Sequence, residues 1–167
     1  MVEQWANYQK QTLHNRCWID SPNGKLALTV PVDRSTFVQG KCLMKDVQVS
    51  YHQDWQKQHW YALESSYFNS PFFEYLQDDF RPIYNKRWKW LMDLNEELVQ
   101  RCLELLNVDG NMSRTSEFTP KTGVTPEFIP KEYYQVFKAK NGFLPDLSIV
   151  DLIFNMGPES VLYLSRK

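Results

Sequence analysis

The sequence has few cysteines and no excess of either charge, and both features exclude classes of protein. Its three cysteines, Cys17, Cys42 and Cys102, stand at wide spacing and form neither a disulfide framework nor a zinc motif. Cysteine used in this way is typical of a reducing cytoplasm, which is the predicted location. The formal net charge of −1 argues against nucleic acid as a partner, because proteins that bind it usually carry a basic excess.

Long apolar runs and several common catalytic motifs are also missing. No apolar run approaches the ~18 residues of a membrane span, so we expect no such span. The N-terminal "MVEQWANYQKQTLHNRC" lacks the apolar region of a signal peptide. The chain contains no G-x-G-x-x-G, P-loop, H-E-x-x-H or G-x-S-x-G motif, which argues against the commonest nucleotide, metalloprotease and hydrolase sites. We predict no cofactor.

Aromatic residues, in contrast, make up 15% of the chain. They are concentrated in "YHQDWQKQHWYALESSYFNSPFFEYLQDDFRPIY", residues 51–84, which also holds two of the three histidines. Phe72, Phe73 and Phe80 follow the spacing of a buried helix face, and we expect most of these rings to be core. Trp60 and Tyr67 are predicted to bind substrate, because an aromatic ring with polar neighbours can stack on the apolar face of a sugar.

Strand patterns come early in the chain and helical patterns later, which predicts an α+β fold. We expect a hairpin from Asn15 to Val32 around the turn Pro22-Asn23-Gly24, and a third short strand in "KDVQVSY". The strongest helical pattern is an apolar 3–4 spacing from Trp88 to Leu106. The prediction is a single domain over residues 1–167, with a mixed β-sheet that includes the N-terminal hairpin and about four packed helices.

Local signals predict the remaining elements. One helix is expected to follow Asp54, a second to start at Pro71 and end before Pro82, and a third to start near Ser148. The segments "NMSRTSEF" and "YYQVF" are predicted strands. The segment "TPKTGVTPEFIPKE" between them has three prolines and a glycine, so it is a predicted loop.

The histidines do not form a metal pair. His52 and His59 are seven residues apart, which on one helix separates them by about 10.5 Å along the axis. That separation is too large for one zinc ion, whose bonds to histidine are about 2 Å long, and we predict no metal site. His59 alone has two interpretations, a general base or a helix histidine hydrogen-bonded beside Trp60.

Two other charged residues stand among apolar neighbours and also have two interpretations. Arg16, at the start of a predicted strand, either binds a carboxylate or phosphate through two hydrogen bonds or forms an ion pair within the fold. Asp151 lies in the apolar run "IVDLI", where a carboxylate either caps a loop amide or faces a site.

Four segments together resemble the WbqC-like protein family. They are "YQKQTLHNRCWIDSPNGKLALTVPV", "WQKQHWYALESSYFNSPFFEYLQDDFRPIY", "EYYQVF" and "LSIVDLIFNMGPES", which fall in order along the chain. The resemblance implies a cytoplasmic bacterial protein of O-antigen or other surface-polysaccharide synthesis. Family members usually begin with an apolar strand, a proline-containing segment and a short helix before the stretch that matches "VEQWANYQKQT", so the resemblance implies a chain shortened by these elements.

The polar residues inside the matching segments, together with the two aromatic residues above, give the predicted site. The predicted catalytic residues are His59 and Asp151. The predicted substrate-binding residues are Lys10, Gln11, Asn15, Arg16, Trp60, Tyr67 and Gln135. The predicted partner is a small sugar-derived molecule, and the sequence leaves the oligomeric state open.

Two functions fit these observations. One is group transfer onto a nucleotide-linked or lipid-linked sugar, with His59 as the base and Arg16 holding phosphate or carboxylate. The other is a non-catalytic module of the polysaccharide machinery that binds carbohydrate or protein. Convergence of His59, Arg16 and Asp151 on one pocket favours the enzyme, whereas a dispersed arrangement with exposed tryptophan and tyrosine side chains favours binding.

Overall fold

The computed structural model describes residues 2–119 and 131–164 and shows the predicted α+β class in a single domain. Its strands are β1 (Arg16–Ile19), β2 (Leu26–Thr29), β3 (Val32–Asp33) and β4 (Gln48–Val49). Its α-helices are α1 (Trp55–Tyr67), α2 (Phe73–Asn85), α3 (Leu91–Leu105), α4 (Lys138–Asn141), α5 (Ile149–Met156) and α6 (Ser160–Leu164).

The predicted N-terminal hairpin is confirmed. Strands β1 and β2 pair antiparallel, with Arg16 opposite Thr29 at one end. Gly24 has φ of 92°, a conformation that favours glycine, and its N–H donates to the carbonyl of Ser21 at 3.0 Å to close the turn. The turn residues therefore fix which residues of the two strands face each other.

In the part of the chain that the structure describes, the β structure forms two separate antiparallel pairs of strands rather than one mixed sheet. Strand β1 pairs with β2, and β3 pairs with β4, with Val32 opposite Val49. Pro31 stands between β2 and β3 and has no N–H to donate, so it interrupts the hydrogen-bond ladder at this point. The two pairs remain connected because Ser50 donates its N–H to the Pro31 carbonyl at 2.9 Å.

The four predicted helices lie close to their predicted positions, except that α2 continues through Pro82 to Asn85, and the short helices α4 and α6 were not predicted. Phe80 and Ile83 on this helix are buried, and their packing outweighs the hydrogen bond that proline removes in the last turn. The helix that follows Asp54 is α1, the pattern from Trp88 to Leu106 forms α3, and the helix after Ser148 is α5.

Two predicted strands do not form among the described residues. In "NMSRTSEF" only Arg114 takes part in β pairing, through an isolated bridge with Val2. In "YYQVF" the backbone bends into a turn before α4, because the side chains of Tyr133 and Gln135 both bond to groups in the interior. The predicted loop lies mostly at residues 120–130, outside the described residues.

The core of the described residues consists of two apolar clusters that share the half-buried Tyr84 and Leu98. One cluster joins the hairpin to α1, α2 and α5 around Tyr67 and Phe154, and the other packs β4 against α3. Within residues 51–84, the rings of Trp55, Trp60, Tyr67, Phe73 and Phe80 are buried. None of the helices in residues 2–119 and 131–164 combines the length and the apolar character that a membrane span requires.

Candidate functional site

An open cleft of about 600 Å³ lies between the N-terminal segment, the start of the hairpin and the β3–β4 pair. It brings together four of the predicted substrate-binding residues, Lys10, Gln11, Asn15 and Arg16. The other residues in its lining are Tyr8, Thr29, Pro31, Val32, Asp33, Arg34, Ser35, Ser50 and His52.

Backbone hydrogen bonds hold the N-terminal side of the cleft against the strands. The N–H of Tyr8 donates to the carbonyl of Cys42 at 2.8 Å, and the N–H of Val30 donates to the carbonyl of Asn15 at 2.9 Å. The Asn15 side chain donates to the Val30 carbonyl at 2.8 Å. Gln11 has φ of 60°, which lets the chain reverse between these two anchored points.

The cleft is cationic. Lys10, Arg16 and Arg34 line it, and none of them forms an ion pair with a carboxylate of the described residues. Of the described residues in this lining only Asp33 is acidic, and its carboxylate accepts the N–H of Ser35 at 2.8 Å, which lowers the pKa of Asp33. Three positive charges therefore face the cleft with one partly engaged negative charge.

Arg16 is held in place by neutral groups. Its Nε donates to Thr29 Oγ1 at 2.9 Å, and its guanidinium carbon lies 5.9 Å from the centre of the Trp18 ring. These contacts orient the guanidinium without neutralising it. Of the two interpretations of Arg16, the internal ion pair is thus absent among the described residues.

Tyr8 and the pair Ser50–His52 add hydrogen-bonding groups that the sequence interpretation missed. Burial raises the pKa of Tyr8, while the nearby guanidinium groups of Arg34 and Arg16 oppose that rise. Ser50 Oγ and His52 Nδ1 are 2.8 Å apart. The sequence holds one signal for this side of the cleft: a polar residue directly follows each of the two short strands, Arg34 after β3 and Ser50 after β4.

His59 lies beneath the cleft rather than in its lining. The side chain is buried, and its Nε2–H donates to the carbonyl of Thr29 at 3.2 Å. The rings of Trp55 and Tyr84 pack edge-on against the imidazole at 5.1 Å and 6.2 Å between centres. Burial lowers the pKa of His59 from its ordinary 6.5 to about 4, against the opposing effect of the Thr29 hydrogen bond.

Asp151, Tyr67 and Gln135 form a second, separate network. The carboxylate of Asp151 is fully buried and accepts the hydroxyls of Tyr67 at 2.7 Å and Tyr133 at 2.6 Å. It also accepts the side-chain amide of Gln135 at 3.2 Å. Burial raises the pKa of Asp151, and these three hydrogen bonds oppose that rise.

The network lies at the far end of β1 from the cleft. The N–H of Asp20, directly after β1, donates to the Tyr67 hydroxyl at 3.3 Å, whereas Arg16 at the start of β1 lines the cleft. A strand rises about 3.3 Å per residue, so Arg16 and Asp20 are about 13 Å apart along the chain. His59, Arg16 and Asp151 therefore occupy three different places.

Trp60 lies neither in the lining of the cleft nor in the network around Asp151. It is buried, its Nε1–H donates to Glu64 at 2.6 Å, and the Arg81 guanidinium lies 5.2 Å from its ring centre.

Among the described residues, no group of three or more histidine, cysteine, aspartate or glutamate side chains is placed to hold a metal ion.

Comparison with known proteins identifies relatives of this chain. It is 26% identical over 200 aligned residues to the Uncharacterized protein Rv1507c of Mycobacterium tuberculosis, an alignment that covers 94% of this chain and 83% of that protein. No solved structure matches. The model of the WbqC-like protein family matches residues 1–129, a range that contains the whole cleft and helices α1 to α3. The chain belongs to the WbqC-like protein family.

Proposed function

We propose that the cleft binds the phosphate groups of a nucleotide-linked or lipid-linked sugar, and that the protein serves bacterial surface-polysaccharide synthesis in the cytoplasm. The observation that supports this is the charge of the cleft. Lys10, Arg16 and Arg34 line one cleft without carboxylate partners among the described residues. Unpaired cations that share an open site are suited to an anion of more than one charge.

Phosphate matches the chemistry of these side chains closely. A guanidinium presents planar donors that bond two phosphate oxygens at once, and a charge-assisted hydrogen bond of this kind contributes about 1.5–3 kcal/mol. Arg16 is already oriented by Thr29 and Trp18, so less conformational entropy is lost when it binds. The Tyr8 hydroxyl, the Lys10 ammonium and Ser50 supply further donors at the same cleft.

Binding without chemistry is the form of this function that the geometry favours. The dispersal of His59, Arg16 and Asp151 meets one of the two conditions expected of a binding module, whereas the other, exposed aromatic side chains, is not met by the buried Trp60 and Tyr67. A catalytic role for His59 and Asp151 stays a prediction, since both are buried, bonded within the protein and outside the lining of the cleft.

Group transfer onto the bound sugar is the second candidate, and the Ser50–His52 pair is the observation that favours it. Both residues line the cleft, and His52, which Ser50 orients through a contact of 2.8 Å, is the candidate general base that takes the proton of an attacking sugar hydroxyl. Replacing His52 with glutamine separates the two candidates. Transfer predicts loss of turnover with binding retained, whereas a binding module shows no turnover before or after the change.

A thermal-shift panel tests the proposal directly. Nucleoside diphosphate sugars, free nucleotides, inorganic pyrophosphate and neutral sugars are compared at equal concentration. A ligand present at ~100 times its Kd adds ~2.7 kcal/mol to the free energy of unfolding. The proposal predicts that phosphate-bearing ligands raise the melting temperature and that Arg16→Gln reduces this shift by about half or more, as a loss of at least tenfold in affinity requires. A panel in which no phosphate-bearing ligand raises the melting temperature contradicts it.

A further inference from the structure

A second cavity, of about 220 Å³, lies near the far end of the described chain and has aromatic walls. The ring of Tyr133 meets Phe143 at 5.3 Å between centres with an interplanar angle of 84°, and meets Tyr163 at 6.0 Å and 70°. All three rings line the cavity, together with the apolar side chains of Leu147, Ile149, Leu152 and Leu164. Its size suits one ring of a ligand rather than a whole nucleotide.

The buried network around Asp151 holds these walls in place. The Tyr133 hydroxyl donates to Asp151 at 2.6 Å, which fixes the tilt of the ring. Gln135 and Leu144 exchange two hydrogen bonds, from the Gln135 amide to the Leu144 carbonyl and from the Leu144 N–H to the Gln135 side-chain oxygen, both at 2.9 Å. These two bonds secure the segment that carries Phe143, so the cavity is formed before any ligand arrives.

Polar groups complete the rim. Asp146 is exposed and has φ of 58°, a conformation uncommon for a residue with a side chain. Ser148 and Lys131 also line the cavity, and the Lys131 ammonium donates to the Leu162 carbonyl at 3.1 Å. The exposed Asp146 carboxylate on this rim can accept hydrogen bonds from the hydroxyl groups of a neutral ligand.

We propose that this cavity binds one sugar ring of the saccharide, an inference that rests on the proposed function of the cleft. The aromatic walls pack on the apolar face of the ring, and the Asp146 carboxylate accepts hydrogen bonds from its hydroxyls. Asp151 and Gln135 act here as positioning residues, which explains why a carboxylate and an amide are buried at this place.

The hairpin links the cavity to the cleft. The N–H of Ser148, in the cavity lining, donates to the carbonyl of Trp18 at 2.6 Å, and Trp18 lies two residues after Arg16 on β1. The two sites are therefore separated by about the length of a short strand, which rises about 3.3 Å per residue.

Saturation-transfer NMR with neutral monosaccharides tests this proposal without a phosphate group. The panel contains hexoses, N-acetylhexosamines and 6-deoxyhexoses, each at millimolar concentration, with tetramethylammonium as a cationic probe. We expect saturation transfer to at least one sugar and at least a tenfold weaker affinity for it in Phe143→Ala. Asp146→Asn is the second variant, because its exposed position keeps folding intact. Tyr75→Ala removes a ring that is 77% exposed and outside this cavity, and is the matched control.

The outcomes separate the two sites. Arg16→Gln should weaken phosphate binding and leave monosaccharide binding unchanged, whereas Phe143→Ala should do the reverse. Failure of the wild-type protein to transfer saturation to any sugar overturns the cavity proposal, and so does sugar binding that neither Phe143→Ala nor Asp146→Asn weakens. Binding of tetramethylammonium alone also overturns it. None of these results alters the phosphate measurement, so the cleft proposal stands or falls separately.

Discussion

At the scale of single residues, burial decides the protonation of His59. The imidazole is enclosed by the rings of Trp55 and Tyr84 and bonded to the Thr29 carbonyl, so it is neutral in the folded protein at neutral pH. Its pKa of about 4 lies below the ordinary 6.5 of an unfolded chain. Below 6.5 the unfolded state therefore binds more protons than the folded state, and acid favours unfolding.

The first prediction concerns His59→Gln. Because the pKa of His59 is lower in the folded state, the wild-type protein should lose stability as the pH falls from 6.5 toward 4. The full difference between the two pKa values corresponds to a loss on the order of 3 kcal/mol in the free energy of unfolding. The variant should be less stable at pH 7.5, because it loses the ring packing, and should lose less stability between pH 6.5 and 4. Urea unfolding at a series of pH values measures both effects.

His52→Gln is the matched control for this prediction, because it removes an exposed histidine from the same region. It should leave the pH dependence of wild-type stability in place. A His59→Gln protein that keeps full stability but loses ligand binding would show instead that His59 contacts the ligand.

The second prediction concerns Asp151→Asn. The two oxygens of Asp151 accept donors from Tyr67, Tyr133 and Gln135, whereas asparagine has one oxygen and turns an amide NH₂ toward the remaining donors. We expect a loss of about 1–3 kcal/mol in the free energy of unfolding, the usual cost of leaving buried polar groups unpaired. Chemical denaturation measures it, with exposed Asp146→Asn as the control. Unchanged stability combined with lost turnover would favour the catalytic interpretation.

At the scale of elements, α3 joins the two halves of the core. Leu98 on this helix packs against both apolar clusters, and its neighbour Val99 is 47% exposed. We predict that Leu98→Ala destabilises the fold by about 2 kcal/mol, the low end for a leucine truncation because the side chain is only partly buried. Val99→Ala should change stability by less than about half a kcal/mol. Equal effects of the two changes in denaturant unfolding would contradict this account of the helix.

Local sequence signals predicted the elements whose cause is local. The Pro22-Asn23-Gly24 turn fixed the hairpin, and the apolar spacing of Leu94 and Leu98 predicted α3. Where a prediction was wrong, the cause is a contact with a distant part of the chain. Burial of Phe80 and Ile83 carries α2 past Pro82, and the buried Asp151 draws in Tyr133 and bends a predicted strand into a turn. No pattern inside either segment contains that information.

At the scale of the whole molecule, the residues of the predicted site lie in separate parts of the structure, because they come from distant parts of the chain. Lys10, Gln11, Asn15 and Arg16 lie in one short stretch, and folding keeps them in one cleft. Arg34 and His52 join them through the β3–β4 pair, a contact that the sequence pattern does not show. Asp151, Tyr67 and Gln135 share a network, but the length of β1 separates it from the cleft.

The central claim is that the cleft binds phosphate through unpaired cations, and isothermal titration with a nucleoside diphosphate at two salt concentrations tests it most directly. Arg16→Gln and Arg34→Gln should each weaken binding at least tenfold, because each removes a charge-assisted contact. Added salt should weaken wild-type binding, because it screens charges in an open cleft. Arg87→Gln removes the same charge outside the cleft and should bind like wild type. Equal affinity of all four proteins, or no binding by the wild type, would contradict the claim.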